Sequence, residues 1–527
     1  MKIKNLIYSA AAVSMVAFTF SSCDKYLDTM PDNRTEINSE TKIEELLVSA
    51  YPSNDYLLVS EMMSDNVDDY GTDNPNTDKF ADQVYAWQDV TESDNESPES
   101  FWGALYGAIA AANHALQGID NAGGATTDAL KQCKGEALMC RAYAHFILTN
   151  MFCLNYNSTT SSKDLGVPYV TAPETNLNPS YERGTVAEDY EKIAADIEEG
   201  LPLVGDSYYT VPKYHFNKKA AYAFAARFYL YYEKWDKAAA YATACLGSNP
   251  ATVLRDWSNV ATLTQTYSAI GQHYISADLN CNLLLITAYS KMGLVFGPYY
   301  TYSKYAHGSY LASSEDCSAI NIWGTGGTSY YSAPKIYRGT NLDKTIFWKI
   351  PYMFEYTDAV AGIGYYRTVY PEFTTDECLL NRAEAYIMLK KYDEAAADLQ
   401  TWEKSIIKTP VTLTPASITE FYNSVDYSEP LQSSIKKHLN PAFAIDAEGS
   451  TQECMLQCVL GFRRIETLQC GKRWFDVKRY GIEIVRRVMN SGGTPEKQTD
   501  VLKKDDLRRA IQLPQKVIDA GMPKNPR

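Results

Sequence analysis

Six residues near the C-terminal end carry the densest chemistry in the sequence: Arg463, Arg464, Glu466, Arg473, Asp476 and Arg479. Guanidinium groups grip oxyanions through paired hydrogen bonds, so arginines at this density could hold a phosphate. Two acids stand among them, and carboxylates suit the same fork. The spacing therefore predicts a buried or half-buried ion-pair network that locks the last helices in place. Two other clusters join ring faces to amides and carboxylates. A neutral sugar needs both, rings for its C–H surface and polar groups for its hydroxyls, since polar groups left unpaired are costly. The first holds Asp65, Asn66, Asp68, Asp69 and Tyr70, then Tyr85, Trp87, Gln88 and Asp89. The second holds Asn321, Trp323, Tyr330 and Tyr331 around Gly324-Thr325-Gly326-Gly327, with Tyr299, Tyr300 and Tyr302 upstream. Glycine surroundings predict a solvent-facing ring at Trp323. Calcium takes several oxygen ligands, but the Asp65–Asp78 stretch lacks the spacing and terminal glutamate of an EF-hand, so a solvated loop is expected there. Trp102, Tyr106 and Asn113 sit at helical intervals and are assigned to packing.

Catalysis finds little footing. The six histidines are scattered, and no His-Glu-x-x-His, Gly-x-Ser-x-Gly or glycine-rich phosphate loop occurs. Acids are abundant, yet nothing singles out the carboxylate pair of a glycosidase. No catalytic residue, metal or cofactor is expected. Ten cysteines follow Cys23, without Cys-x-x-Cys or zinc-type spacing, and are read as mostly free buried thiols.

The elements that must position these residues begin after residue 22. Lys2 and Lys4 precede an apolar run from Leu6 to Phe20, too short to span a bilayer and placed like a secretory signal. Ser21-Ser22 then lead into Cys23 and the charged stretch Asp24-Lys25-Tyr26-Leu27-Asp28. Loss of residues 1–22 leaves 47 basic against 64 acidic residues, a balance of −17. Such a balance argues against nucleic acid, whose phosphates need Lys and Arg. The chain is also rich in tyrosine, with 41 Tyr against 17 Phe and 8 Trp, and a tyrosine ring can pack on one side and meet water on the other.

One internal echo organises the rest. Residues 226–242 (ARFYLYYEKWDKAAAYA) align with 383–399 (AEAYIMLKKYDEAAADL): helix, turn at an aromatic-Asp pair, then an alanine-rich helix. That is the tetratricopeptide pattern, in which small residues let paired helices approach closely. Amphipathic stretches at 99–119, 129–153 and 184–203 add to it, giving four helix pairs across about 40–250 and 374–405. Between them, about 250–375 is punctuated by Gly and Pro and reads as a loop-rich insertion. A second irregular stretch runs from Asp65 to Pro98.

Three segments resemble the SusD/RagB family of outer-membrane nutrient-binding lipoproteins of Bacteroidetes. The first is Gly461-Phe462-Arg463-Arg464-Ile465-Glu466 followed by Gly471-Lys472-Arg473-Trp474-Phe475-Asp476-Val477-Lys478-Arg479-Tyr480-Gly481. The second is Gln512-Leu513-Pro514-Gln515-Lys516-Val517-Ile518 with Asn525-Pro526, and the third is Gly135-Glu136-Ala137, Arg141-Ala142-Tyr143, Gly166-Val167-Pro168-Tyr169 and Arg183-Gly184-Thr185. One departure stands out: the family has an acid just before the paired arginines, where this chain has Gly461-Phe462. The resemblance implies a mostly α, tetratricopeptide-like SusD fold as a single domain over 23–527, with a C-terminal helical region at 454–527. Ser21-Ser22-Cys23 resembles a lipobox, which implies cleavage of a 1–22 signal peptide, lipidation of Cys23 and anchoring at the outer face of the outer membrane. The implied function is capture of a glycan for a SusC-like TonB-dependent transporter. Trp87 and Trp323 are the implied stacking partners, with Asp65, Asn66, Tyr70, Tyr85, Asn321, Tyr330 and Tyr331 beside them. A peptide receptor of the RagB kind, or a surface glycosidase, are the alternatives.

Overall fold

A computed structural model describes residues 37, 39–71, 74–175 and 180–527; the signal segment, Cys23 and Tyr26-Leu27-Asp28 lie outside these. Its framework is helical. The labelled helices are α1 (Glu40–Leu47), α2 (Leu57–Met63), α3 (Lys79–Tyr85), α4 (Pro98–Asn121), α5 (Asp128–Phe152), α6 (Val186–Gly200), α7 (Lys218–Tyr231), α8 (Trp235–Leu246), α9 (Thr375–Met388), α10 (Tyr392–Ile406), α11 (Thr451–Glu466) and α12 (Arg473–Arg479). Their starts are written in the sequence. Ser97, Thr127, Asn217, Thr374 and Ser450 each cap an amide of the first turn, and Thr185 with Glu188 forms a reciprocal capping box. None of the described helices is long and apolar enough to cross a membrane.

Neighbouring helices pack in series, α4 on α5, α5 on α6, α7 on α8, α8 on α9 and α9 on α10. The approach of α5 to the end of α6 requires small residues. A Cβ added at Gly135 would lie 2.7 Å from the Val204 amide nitrogen, and one at Gly200 would lie 2.9 Å from the Leu138 side chain. The repeat echo extends to the backbone. The turn between α7 and α8 holds Glu233 at φ 59°, and the turn between α9 and α10 holds Lys390 at φ 57°, at the equivalent position of each copy. Two non-glycine residues in the left-handed region at matching sites mark one supersecondary unit used twice.

The stretch between the two copies is built from short helices and strands. Strands β2 (Asn282–Tyr289), β4 (Met353–Asp358) and β5 (Ile363–Thr374) form an antiparallel sheet in the order β2-β5-β4. A second sheet joins distant parts of the chain: β7 (Pro495–Leu502), β6 (Ile484–Met489), β1 (Asp68–Asp69) and β3 (Tyr305–Ala306), with β1 parallel to β6. The Asp65–Asp78 stretch, expected to be a solvated loop, thus contains the strand β1, and the longer irregular stretch to Pro98 also contains the helix α3.

The arginine cluster is the buried network expected of it. Arg463 bonds both Asp476 oxygens at 2.8 Å and reaches Glu384 on α9, and Arg479 meets the same Glu384 at 2.5 Å. Burial opposes ionisation of Glu384, but Arg479 and Arg463 hold its carboxyl down at about 2. Arg464 bonds Glu315 at 2.9 Å, and Arg473 bonds Asp65 at 2.8 and 2.9 Å. Charges removed from water in this way are tolerable because each guanidinium has a matched carboxylate.

Candidate functional site

This network accounts for one sequence-level site residue at once. Asp65, expected at a ligand face, is clamped by Arg473 and faces Arg464. Its neighbour Asn66 is buried, donating to Glu61 and accepting from Arg464. Asp68 is paired with Arg487 at 2.8 Å. Asp65 and Asp68 are thus neutralised by arginine and cannot meet a hydroxyl or a calcium ion.

The two tryptophans are interior as well. Trp87 is 3 % exposed, donates its indole N–H to the Met63 carbonyl at 2.9 Å, and has the Arg486 guanidinium 4.1 Å from its ring centroid. Trp323 is 7 % exposed and packs on Phe462, with ring centroids 5.2 Å apart, and on Trp402 at 6.4 Å. Phe462 occupies the position at which the resemblance has an acid, and it stacks on Trp402 at 4.7 Å. The ring at this position packs against both tryptophans. Of the remaining expected residues, Tyr70, Tyr85, Asn321 and Tyr330 are buried and Tyr331 is half-buried. Tyr85 stacks on Tyr305 at 4.3 Å and Tyr330 stands edge-on to Trp323 at 6.2 Å. The expectation of an outward face is corrected for Trp87, Trp323, Tyr85, Asn321 and Tyr330, which are packing groups; Tyr70, though largely buried, borders a cavity beside Asp69 and Asp343.

The open rings lie elsewhere in the same insertion. Strand alternation projects Phe354 and Tyr356 of β4 to one face, opposite Tyr366 and Gly364 of β5. Gly364 is required there, since an added Cβ would run into the Glu355 backbone carbonyl across the pair. From this hairpin a row of rings runs outward. Tyr356 meets Phe354 at 4.9 Å, Phe354 meets Tyr366 at 5.2 Å, Tyr366 meets Tyr352 at 5.8 Å, and Tyr352 meets Tyr299 at 5.0 Å. The ends are open, with Tyr299 at 49 % and Tyr356 at 60 % exposure. The other face carries Tyr289, Tyr365 and Arg367, the last over the Tyr289 ring at 4.4 Å and paired with Glu355.

Beside this row lies a recess of about 280 Å³, lined by Tyr300, Tyr366, Asn76, Asp78, Lys291 and Tyr305 among others. Asn76 and Asp78 come from the early irregular stretch and the rest from the insertion. The two regions singled out from sequence therefore meet, although through different side chains. Lys344 steadies the segment that carries Tyr299 and Tyr300. Its ammonium donates to the Val295 and Gly297 carbonyls at 2.7 and 3.4 Å, lies 6.0 Å from the Tyr300 ring, and is pushed by burial down to about 7. Sequence reasoning passed over the hairpin, although the aromatics at 352, 354 and 356 recur with the period of a strand. Among the described residues no His/Cys/Asp/Glu group is arranged to hold a metal ion.

Residues 25–230 match a SusD-like family model described as starch-binding and associating with the outer membrane, and residues 300–517 match the model described as the SusD family. A comparison with curated proteins finds no match. Among solved structures, the chain is similar to a SusD superfamily protein of Bacteroides thetaiotaomicron at 18% identity and TM-score 0.62, covering 93% of this chain and 100% of that one. A putative sugar binding protein of Bacteroides vulgatus gives 19% identity and TM-score 0.65, covering 94% and 99%. A laminarin binding SusD-like protein gives 15% identity and TM-score 0.54, covering 93% and 99%. The shared fold is the SusD one, tetratricopeptide-like helices with some sheet.

Proposed function

We propose, from the premise that this chain belongs to the SusD/RagB family, that it captures an oligo- or polysaccharide at the outer face of the outer membrane and passes it to a SusC-like TonB-dependent transporter. It acts as one SusD-like domain from residue 23 to 527, tethered through an acyl group on Cys23. Acylation holds a water-soluble body at a bilayer without spanning it.

The single observation that carries the reading is the open row of rings from Tyr356 to Tyr299. A pyranose has an apolar C–H face and a rim of hydroxyls. A tyrosine offers an apolar ring to the first and its own hydroxyl to the second. The recess alongside adds the Asn76 amide oxygen, the Asp78 carboxylate that also caps α3 and the Lys291 ammonium that also pairs with Asp94, polar groups that suit the rim. The relative described as laminarin binding supports the same class of ligand.

Isothermal calorimetry against laminarin, starch, xylan and a set of peptides tests this. At least one glycan is expected to bind, no peptide to bind tightly, and no new reducing ends to appear over a time course. Tight peptide binding without glycan binding would make the chain a peptide receptor, and released reducing ends would make it a glycosidase. Palmitate labelling that survives Cys23→Ala would remove the tether.

A further inference from the structure

A second and larger cavity, about 850 Å³, opens on the far side of the segment that walls the first recess. Asn74 and Lys304 line this cavity, while Asn76 and Ser303 line the smaller one. The shared wall is a pair of chain segments stitched by backbone hydrogen bonds. The Asn76 amide donates to the Tyr302 carbonyl at 2.9 Å, Lys304 to Asn76 at 3.1 Å, and Tyr70 to Lys304 at 2.7 Å. Tyr302 belongs to this wall, held in the left-handed region at φ 53° with its ring 45 % exposed. Tyr299 and Tyr300 precede it and are also open. The molecule therefore presents two hollows separated by a tyrosine-bearing ridge only two segments thick.

The linings differ in a way that bears on chemistry. The smaller recess falls just below the usual range for ligand pockets, roughly 300–1,000 Å³, and the larger one sits near its top. Acceptors in the larger cavity include Asp69, Asp343 and Glu496, and Arg338 is a donor; Lys304 lines it as well but turns its ammonium to Asp82 at 2.8 Å. Tyr310 supplies a ring steadied by the Arg487 guanidinium at 4.8 Å. Carboxylate acceptors set beside the Arg338 guanidinium and the Asn74 and Asn490 amides match a chain of hydroxyls, each of which both gives and takes a hydrogen bond. A polyanionic chain would meet three carboxylates against the one guanidinium of Arg338.

We infer that the larger cavity is a second glycan subsite, and that a neutral chain long enough to cross the Tyr302 ridge occupies both hollows at once. This rests on the reading of the ring row as a glycan surface and extends it to chain length. Two linked subsites convert the second contact into an intramolecular one, so affinity rises steeply once the ligand spans them.

The test uses the full mature chain and neutral oligosaccharides of two to eight sugars prepared from laminarin, starch and xylan. Affinity is expected to step upward at one length within the best-binding series. The surface double variant Arg338→Ala/Glu496→Ala should weaken the long ligands about tenfold and leave the short ones unchanged. Tyr302→Ala should do the same, whereas Tyr356→Ala should weaken both. Equal affinity at all lengths, or long-chain binding indifferent to Arg338→Ala/Glu496→Ala, overturns the second subsite while leaving the ring row intact. Absence of binding to every series overturns the glycan reading and the second subsite with it.

Discussion

Glu384 carries more of the fold than any single residue of the ring row. It is fully buried on α9 and answers Arg463 and Arg479 while accepting the Tyr480 hydroxyl at 2.7 Å. Glu384→Gln leaves Arg463 and Arg479 in the interior with Asp476 as the one carboxylate they share. Removing one member of a buried ion pair costs about 3–5 kcal/mol, which should appear as a lowered denaturant midpoint. His145 adds a pH dependence. Its Nδ1–H donates to the Arg141 carbonyl at 2.9 Å, its Nε2 accepts from the Val170 amide at 3.1 Å, and its ring stacks on Tyr169 at 3.7 Å. Burial lowers its pKa to about 3. The unfolded chain therefore takes up a proton near pH 6.5 that the native state refuses, and stability falls from there down to about pH 3. At pH 5 the loss from this group is about 2 kcal/mol. The measurement is the stability difference between wild type and His145→Gln across pH 8 to 5, which should shrink as pH falls.

At the scale of elements, the two helical hairpins make a matched pair of predictions. Glu233 and Lys390 hold equivalent left-handed turns, and a left-handed backbone costs a residue with a Cβ roughly 1–2 kcal/mol. Glycine removes that cost at the expense of unfolded-state entropy, so Glu233→Gly and Lys390→Gly should each raise stability by up to about 1 kcal/mol in thermal unfolding. Destabilisation at either site would mean that the side chain, and not the backbone, matters there. These hairpins were legible in the sequence because alanines and aromatics recur at the spacing of packed helices, a local signal. The arginine network was legible only in part, since Asp476 lies within the same short stretch but Glu384, Glu315 and Asp65 are brought from elsewhere and Glu466 accepts from Trp402 instead. The ring surface was not. Whether Trp87 faces water depends on Arg486, which follows it by about 400 residues, and whether Trp323 does depends on Phe462 and Trp402. Burial of a ring is decided by the partner that the fold brings to it. The Tyr352, Phe354, Tyr356 alternation did carry a local strand signal, but lay inside a stretch whose glycines suggest loops.

At the scale of the whole molecule, the C-terminal region ties distant parts of the chain together. Strand β6, late in the sequence, pairs with β1 from the early irregular stretch, and β1 pairs with β3 from the insertion. Asn525 donates to the Phe152 and Ile511 carbonyls at 2.7 and 2.6 Å, tying the last residues to the end of α5. The helical repeats thus act as a rigid frame, and the same C-terminal region that seals the frame also walls the larger cavity through Val488 to Thr494. The central claim is that this frame holds a tyrosine row open for a sugar. Its most direct measurement is a calorimetric titration of the best-binding glycan into wild type and into Tyr299→Ala/Tyr356→Ala. Both substitutions lie on exposed rings, so thermal unfolding should hardly move. Binding weakened about tenfold or more at unchanged unfolding temperature is the predicted result; equal affinity in the two proteins would contradict the account.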